Sequence, residues 1–329
     1  MMRSSFLSIL CITIGRVLPV TSLAIGPQLQ FSNLFSALTN NSADGKSKFR
    51  YTHLEGNGQL WEATNGNTKI SVVVDPIASQ LDFGIPWGYR ANKKVLSEDA
   101  TIDMICDAEP SHCLLTMGLD DHTHLPTLEK LSKRIPTLNY IVAPSCKQKL
   151  LDFGLRSDQI KVLNHGDSCK LPDGATVTAT QGALVGPPWQ KRENGFLVEL
   201  KSDSKANGLS IYYEPHGDVI LDNIKGIRAD VMVSPVTKQS LPAQVPQEGR
   251  FTLVYGGERT LEIAELLGAK VVVPLGNGAL DIEGPLSGLV VASGDVSEFE
   301  KLVEKRNVGR DDIIEVAKAS AGIPLTITI

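Results

Sequence analysis

The segment Leu114–His124 constrains the fold of this chain more than any other stretch. It begins as a short apolar strand, passes into a loop with two aspartates and two histidines, and leads directly into a helical pattern. A loop that connects a strand to a helix in an α/β protein exposes polar groups beside a rigid sheet. The segment therefore predicts an α/β fold and places candidate metal-binding or catalytic groups, above all Asp121 and His122, in this loop.

Short β-branched runs alternate with amphipathic runs from about residue 50 onward, which is typical of strands and helices in alternation. The predicted helices are His124–Arg134, with Thr123 as N-cap, Arg259–Leu267, which ends at Gly268, and Val296–Arg306. Along the chain the predicted order is a run of strands, a βα alternation, a second run of strands and a second βα alternation. This order predicts one domain over residues 50–329, with two similar halves packed sheet to sheet and the helices outside. A plain doubly wound sheet stays open on pattern alone. The predicted strands are Lys69–Asp75, Cys113–Thr116, Asn139–Ala143, Ala175–Thr180, Phe196–Leu200, Leu209–Tyr213, Val231–Ser234 and Lys270–Pro274.

Composition excludes several classes of protein. The formal net charge is −5 and no basic patch is present, so nucleic acid is not an expected partner. The five cysteines lack the C-x-x-C spacing of a zinc ribbon, and they do not indicate a dense disulfide framework.

The N-terminus has the pattern of a targeting leader. Arg3 precedes the apolar run Phe6–Ile14, and Ser22–Ala24 supplies small residues for cleavage, so residues 1–24 are predicted to be a signal peptide. Residues 25–49 are Ser- and Asn-rich, as in a transit peptide, and together the two segments predict plastid import. The alternative is a secreted protein with a disordered tail, and a fluorescent fusion of residues 1–50 distinguishes the two. The apolar run is shorter than the roughly 20 residues that span a bilayer, so no permanent membrane anchor is expected.

Three motifs together resemble the metallo-β-lactamase superfamily. Val73–Pro76 resembles the "vDP" strand end of its UlaG-like branch, Leu114–His124 the H-x-H-x-D-H metal signature, and Lys270–Gly276 the late "vvPxH" strand. Gly182–Gln190 and Tyr212–His216 are similar to segments of cyanobacterial and plant chloroplast-type members. The resemblance covers roughly residues 50–300 and implies an αββα sandwich.

The resemblance also implies which ligands this chain lacks. Zinc hydrolases of the family use the H-x-H pair for a first metal and the D-H pair for a second, and the ion lowers the pKa of bound water to about 7. Here Met117 and Leu119 stand in place of the leading histidines, and Gly276 stands in place of the final one. A thioether is a poor ligand for hydrolytic zinc and an alkyl group is none. Glu214 follows the strand where the bridging aspartate would stand, and the usual two-metal site cannot be assembled.

The remaining ligand types predict at most one zinc or other divalent ion. Asp121, His122 and His216 would supply the ligands, joined by Glu214 or His124. Asp121 and His122 are also the candidate catalytic pair, acting as base and orienter on a small-molecule substrate. The alternatives need no metal: Asp121 caps the following helix, His122 is a hydrogen-bonded loop histidine, and His124 faces outward.

Two functions remain open from sequence. The first is a diverged, metal-dependent hydrolase of plastids with a reduced site. The second is a catalytically inert binding or scaffold protein that retains the fold. The missing first-metal pair favours the second, whereas the retained Asp121 and His122 favour the first. His53 and His165 have no assigned role.

Overall fold

The computed structural model describes residues 46–185, 189–201, 208–241, 251–276, 278 and 280–329. The predicted signal peptide and most of the predicted transit segment lie outside these residues, so plastid targeting stays a prediction. Six α-helices are described, and no helix of the described residues is long and apolar enough to cross a membrane. They are α1 (Glu98–Asp107), α2 (Leu125–Arg134), α3 (Cys146–Phe153), α4 (Leu221–Ile224), α5 (Gly257–Leu267) and α6 (Val296–Asn307).

The strands are short and mostly rich in β-branched and aromatic residues. In chain order they are β1 (Lys48–His53), β2 (Gln59–Asn65), β3 (Thr68–Val74), β4 (Arg90–Asn92), β5 (His112–Leu115), β6 (Asn139–Val142), β7 (Ile160–Val162), β8 (Ser168–Lys170), β9 (Thr176–Gln181), β10 (Asn194–Leu200), β11 (Leu209–Tyr213), β12 (Val231–Pro235), β13 (Lys238–Leu241), β14 (Phe251–Val254), β15 (Val271–Leu275), β16 (Asp281–Glu283), β17 (Val291–Ser293), β18 (Glu315–Val316) and β19 (Leu325–Thr328).

Two seven-stranded mixed sheets form the centre of the fold. The first has the order β19-β1-β2-β3-β5-β6-β7, and the second has the order β18-β15-β12-β11-β10-β9-β8. In the first sheet β3, β5, β6 and β7 run parallel, and in the second β11, β12, β15 and β18 do. Each sheet thus combines an antiparallel part with a parallel part, as the repeated strand and βα pattern predicts. Smaller sheets join β14-β13-β17 and β16-β4.

The main core lies between the two large sheets, because the inward side chains of both are apolar and fully buried. Trp61 packs edge-on against Tyr213 of the facing sheet, with ring centroids 6.1 Å apart. Such an edge-to-face pair adds about 0.5–1.5 kcal/mol beyond the area that it buries. Side chains that contribute to this core from the two sheets include Phe49, Tyr51, Val72, Val74 and Leu114, and Phe196, Val198, Ile211, Val233 and Val273.

Helices cover the outer face of each sheet. Apolar residues of α1, α2 and α3, such as Ile105, Leu128 and Leu150, pack on the first sheet. Residues of α5 and α6, such as Ile263 and Phe299, pack on the second. The fold is therefore a four-layer αββα sandwich, which confirms the predicted fold class and excludes a single doubly wound sheet.

Most predicted elements match the observed ones within two residues. Leu209–Tyr213 is a strand with the predicted bounds, and Gly268 ends α5 in the left-handed conformation with φ of +65°. The prediction of Thr123 as N-cap of α2 is wrong. His124 occupies the cap position, and its side chain does not bond the helix amides. Thr123 instead donates its hydroxyl to the Met117 carbonyl at 2.6 Å, which closes the loop before the helix.

Candidate functional site

The candidate site lies where strand ends of the two large sheets face each other. Asp75 follows β3 and Thr116 follows β5 in the first sheet, whereas Glu214 follows β11 in the second. The Tyr213 hydroxyl donates to Asp75 Oδ2 at 3.1 Å, so the two sheets are hydrogen-bonded to each other here. The sandwich thus brings together residues that are far apart in the chain.

Asp75 is the most heavily hydrogen-bonded carboxylate of this region. Its Oδ1 accepts from the Thr116 amide at 2.9 Å, and its Oδ2 accepts from the Thr116 hydroxyl at 2.6 Å and from Tyr213. The fourth contact is with His122 Nδ1, which lies 2.8 Å from Oδ2. Asp75 also has a φ of +42°, a conformation that is uncommon outside glycine. The backbone strain at the end of β3 is retained because the buried carboxylate is fixed by four bonds.

His122 is completely buried and is oriented by Asp75. With Nδ1 directed at this carboxylate, Nε2 faces Asp121 Oδ2 at 3.4 Å. Burial lowers the pKa of His122, but the carboxylates Asp121 and Asp75 outweigh it and raise this pKa to about 10. The Asn57 amide nitrogen lies 3.1 Å from Nε2 and opposes the charged form, because an Nε2–H would face the amide hydrogens.

Asp121 is buried beside His122. Burial raises the pKa of its carboxyl, but His122 and His216 together hold it below its usual value. Its Oδ1 is buried and has no hydrogen-bond partner among the described residues. The alternative role as cap of α2 is wrong, because that helix begins after His124.

His216 and Glu214 approach the same place from the second sheet. The rings of His216 and His122 have centroids 5.4 Å apart. Burial, with a smaller contribution from the charge of His122, lowers the pKa of His216 to about 3, so this imidazole is neutral. Glu214 Oε2 accepts from the amides of His216 and Asp218 at 3.1 and 3.0 Å. Glu214 Oε1 has no partner with good hydrogen-bond geometry in the described chain. Burial raises the pKa of this carboxyl to about 7.

Three other candidate positions have structural roles. His124 is buried rather than outward-facing, which corrects the prediction, and its Nδ1 lies 2.7 Å from the Thr127 hydroxyl. Met117 is fully buried. Leu119 packs against an apolar cluster formed by β13, β14 and Val290, the residue before β17. The positions at which the resemblance implies two leading histidines are therefore occupied by packed apolar side chains.

Gly276, where the resemblance places a final histidine, lies against a histidine from elsewhere in the chain. A Cβ at position 276 would lie 2.9 Å from His53 Nε2, so the His53 ring fills the space that a side chain would need. His53 is buried, and neither ring nitrogen has a well-formed hydrogen bond within the described residues. Burial, with help from the charge of Lys93, lowers its pKa to about 4, although the nearby Gly276 backbone acts in the opposite direction.

The residues present fit one cation better than two. Two ligand atoms held at about 2.1 Å by one tetrahedral ion lie roughly 3.4 Å apart, and Asp121 Oδ2 and His122 Nε2 have this separation. Asp75 behind His122 supplies the outer carboxylate that commonly orients a ligating histidine. Within the described ranges, however, no group of three or more His, Cys, Asp or Glu side chains is arranged to hold an ion. The predicted set of Asp121, His122, His216 and Glu214 is thus close together but does not form one ligand group.

Sequence reasoning missed two contributors, Asp75 and Asn57. The sequence pattern places Asp75 at a strand end and gives it no further role, although an acid directly after a buried strand is typical of a site position. Asn57 lies in the β1–β2 turn, 64 residues before Asp121, and no local pattern connects the two.

Comparison with known proteins agrees with this architecture. A family profile described as a beta-lactamase superfamily domain matches residues 51–276. A metallo hydrolase from the archaeon Ignicoccus hospitalis is similar in structure, with a TM-score of 0.55, 15% identity, and coverage of 85% of this chain and 98% of its own. A metallo-β-lactamase fold protein from Bacillus subtilis has a TM-score of 0.50, 11% identity, and coverage of 86% and 100%.

Curated protein sequences give no match to this chain. At such low identities the two structural likenesses establish the fold alone, and the profile, which spans more than half of the chain, establishes the family. The chain therefore belongs to the metallo-β-lactamase superfamily.

Proposed function

We propose that this protein is a hydrolase-type member of its superfamily whose reduced site binds a single divalent cation. The ligands are Asp121 and His122, with His216 as the adjacent neutral imidazole. The observation that carries the proposal is the 3.4 Å separation of Asp121 Oδ2 and His122 Nε2, with Asp75 bonded to the other ring nitrogen. A cation on this pair would supply Lewis-acid activation of water and of a small-molecule substrate.

Side chains around the pair support this role. Asp75 fixes the His122 ring so that Nε2, rather than Nδ1, faces Asp121. Asp121 Oδ1 and Glu214 Oε1 are buried acceptors without partners in the described chain, which leaves oxygen atoms for a ligand or a proton. Glu214, with its pKa raised to about 7, is able to take up or release a proton near neutral pH.

Elemental analysis tests the proposal. The full-length protein, purified after supplementation with zinc, iron and manganese, is expected to hold close to one ion per chain. Asp121→Ala and His122→Ala should each lose it, since each removes half of the ligand pair. His165→Ala is the matched control, because this exposed histidine contacts only the Glu193 carbonyl among the interactions described and should leave the ion in place. Less than about 0.1 ion per wild-type chain would refute metal binding.

A second candidate is a metal-free binding or scaffold protein. It is favoured by the packed side chains of Met117 and Leu119, which occupy the first-metal positions, and by the lack of a three-ligand group in the described ranges. Absence of metal from the wild-type protein, together with unchanged folding of the Asp121→Ala variant, would favour this candidate.

A further inference from the structure

The turn between β1 and β2 inserts an amide into the candidate site. Asn57 is buried, and its Nδ2 lies 3.1 Å from the Asp121 carbonyl oxygen and 3.3 Å from Asp121 Oδ2. The same nitrogen lies 3.1 Å from His122 Nε2. Three atoms of the predicted ligand pair thus converge on one donor group.

The chemistry of these partners fixes which end of the amide faces them. A carbonyl and a carboxylate oxygen only accept hydrogen bonds, so they require the amide nitrogen rather than its oxygen. When His122 is neutral and donates its Nδ1 proton to Asp75, Nε2 carries the lone pair that faces the amide. Asn57 thus favours this neutral form, against the two carboxylates that favour the charged one. The amide hydrogens of Asn57 carry partial positive charge. They face the Asp121 oxygens and His122 Nε2, which are also the types of atom that bind a cation.

The turn holds this amide firmly. Gln59 Nε2 donates to the backbone carbonyl of Asn57 at 3.3 Å. Trp61 Nε1 in turn donates to Gln59 Oε1 at 3.0 Å. On the other side of the turn, the buried Glu55 carboxylate accepts from three successive backbone amides, those of Lys94, Val95 and Leu96. These bonds restrict the backbone on either side of Asn57, so the position of its side chain is set by the fold.

We propose that the Asn57 amide is a built-in substitute for a cation, which binds the Asp121–His122 pair in the metal-free protein and is displaced when an ion binds. The part of this inference that concerns displacement rests on the proposed function. One consequence is a lowered ion affinity, because only the fraction of molecules with the amide withdrawn is competent to bind. A second is that the metal-free fold is stabilised by Asn57.

Two measurements on the full-length protein test the inference: thermal unfolding in the presence of chelator, and calorimetric titration with zinc. Asn57→Ala should lower the metal-free melting temperature and raise zinc affinity by about tenfold or more. Asn57→Asp retains the shape of the side chain, adds a carboxylate beside Asp121, and should raise zinc affinity further. This second variant keeps the test informative if the alanine variant folds poorly.

Asn65→Ala is the matched control, because Asn65 is also a buried asparagine of the same hairpin and donates to the Leu200 carbonyl at 2.8 Å. It should lose stability without a change in zinc affinity. Zinc affinity that is equal or lower in both Asn57 variants than in wild type would overturn the inference while leaving the proposed function intact. Zinc binding by the variants but not by wild type would support the inference and overturn the proposed function. No zinc binding by any of these proteins would overturn both.

Discussion

The two sheets contribute unequally to the site. At the ends of β3 and β5, both oxygens of Asp75 are occupied by hydrogen-bond donors, and His122 is fixed between two carboxylates. At the ends of β11 and β15, one oxygen of Glu214 lacks a partner in the described chain, and Gly276 offers no side chain. The polar network around Asp75 is complete, whereas the second side is incomplete. Asp121 Oδ1, in the loop that follows β5, also lacks a partner in the described chain and lies outside the Asp75 network.

This difference separates hydrogen bonds that stabilise the fold from acceptor atoms whose hydrogen-bonding capacity is not used within the described chain. Fully satisfied buried networks specify one arrangement, because losing any member leaves the others unpaired in a low dielectric. Unsatisfied buried acceptors are rare in native proteins and commonly mark a position for a proton, water or ion. We therefore expect substitutions on the first side to affect folding most, and substitutions on the second side to affect proton or ligand binding.

The largest expected effect is that of Asp75→Ala. It leaves His122, Thr116 and Tyr213 without their shared acceptor and removes one charge from a buried pair, which typically costs about 3–5 kcal/mol. Urea unfolding at neutral pH measures this loss. A loss below about 1 kcal/mol would show that the network on the first side is dispensable, and the contrast between the sheets would fail.

The next largest effect is expected for His53→Gln, which should change how the free energy of unfolding depends on pH. The pKa of His53 is lowered to about 4 in the folded protein, from 6.5, so the unfolded chain takes up the proton first as pH falls. Stability contributed by neutral His53 is present above about pH 6.5 and is lost as pH falls toward 4. His53→Gln should remove about 2–3 kcal/mol of the stability difference between pH 7 and pH 4.5.

Urea unfolding of wild type and variant at both pH values checks this prediction, since other titrating groups cancel in the comparison. His165→Gln is the matched control, because it makes the same substitution at an exposed histidine. Parallel pH profiles for wild type and His53→Gln would contradict the prediction and show that His53 is not held neutral by the fold.

Gly276→Ala is expected to have the smallest effect. The new Cβ would lie 2.9 Å from His53 Nε2, and relieving such crowding costs about 1–2 kcal/mol. A double-mutant cycle with His53→Ala is the measurement, and the cost should fall by at least half in that background. An unchanged cost would mean that something other than the His53 ring restricts position 276, and the account of this side of the site would need revision.

Much of the fold could be predicted from the sequence because its signals are local. The β-branched runs predict strands, and Gly268 predicts the end of α5. The βα alternation predicts which elements follow one another. The candidate pair Asp121 and His122 was also predictable, since a polar loop between a strand and a helix is visible in eleven consecutive residues. The sequence predicts Thr123 as N-cap of α2, and this prediction is wrong because the Thr123 hydroxyl bonds the Met117 carbonyl instead of a helix amide.

The sequence by itself determined the superfamily and the sandwich architecture, and the resemblance implies that Met117 and Leu119 stand where two metal-ligating histidines would. Only the tertiary structure decided what surrounds the retained pair. The partners Asp75 and Asn57 come from strand ends and turns that are far away in the chain, and the His53 ring fills the space beside Gly276. The physical reason is that hydrogen bonds, burial and steric contact depend on distances in space, which the order of residues along a strand does not give.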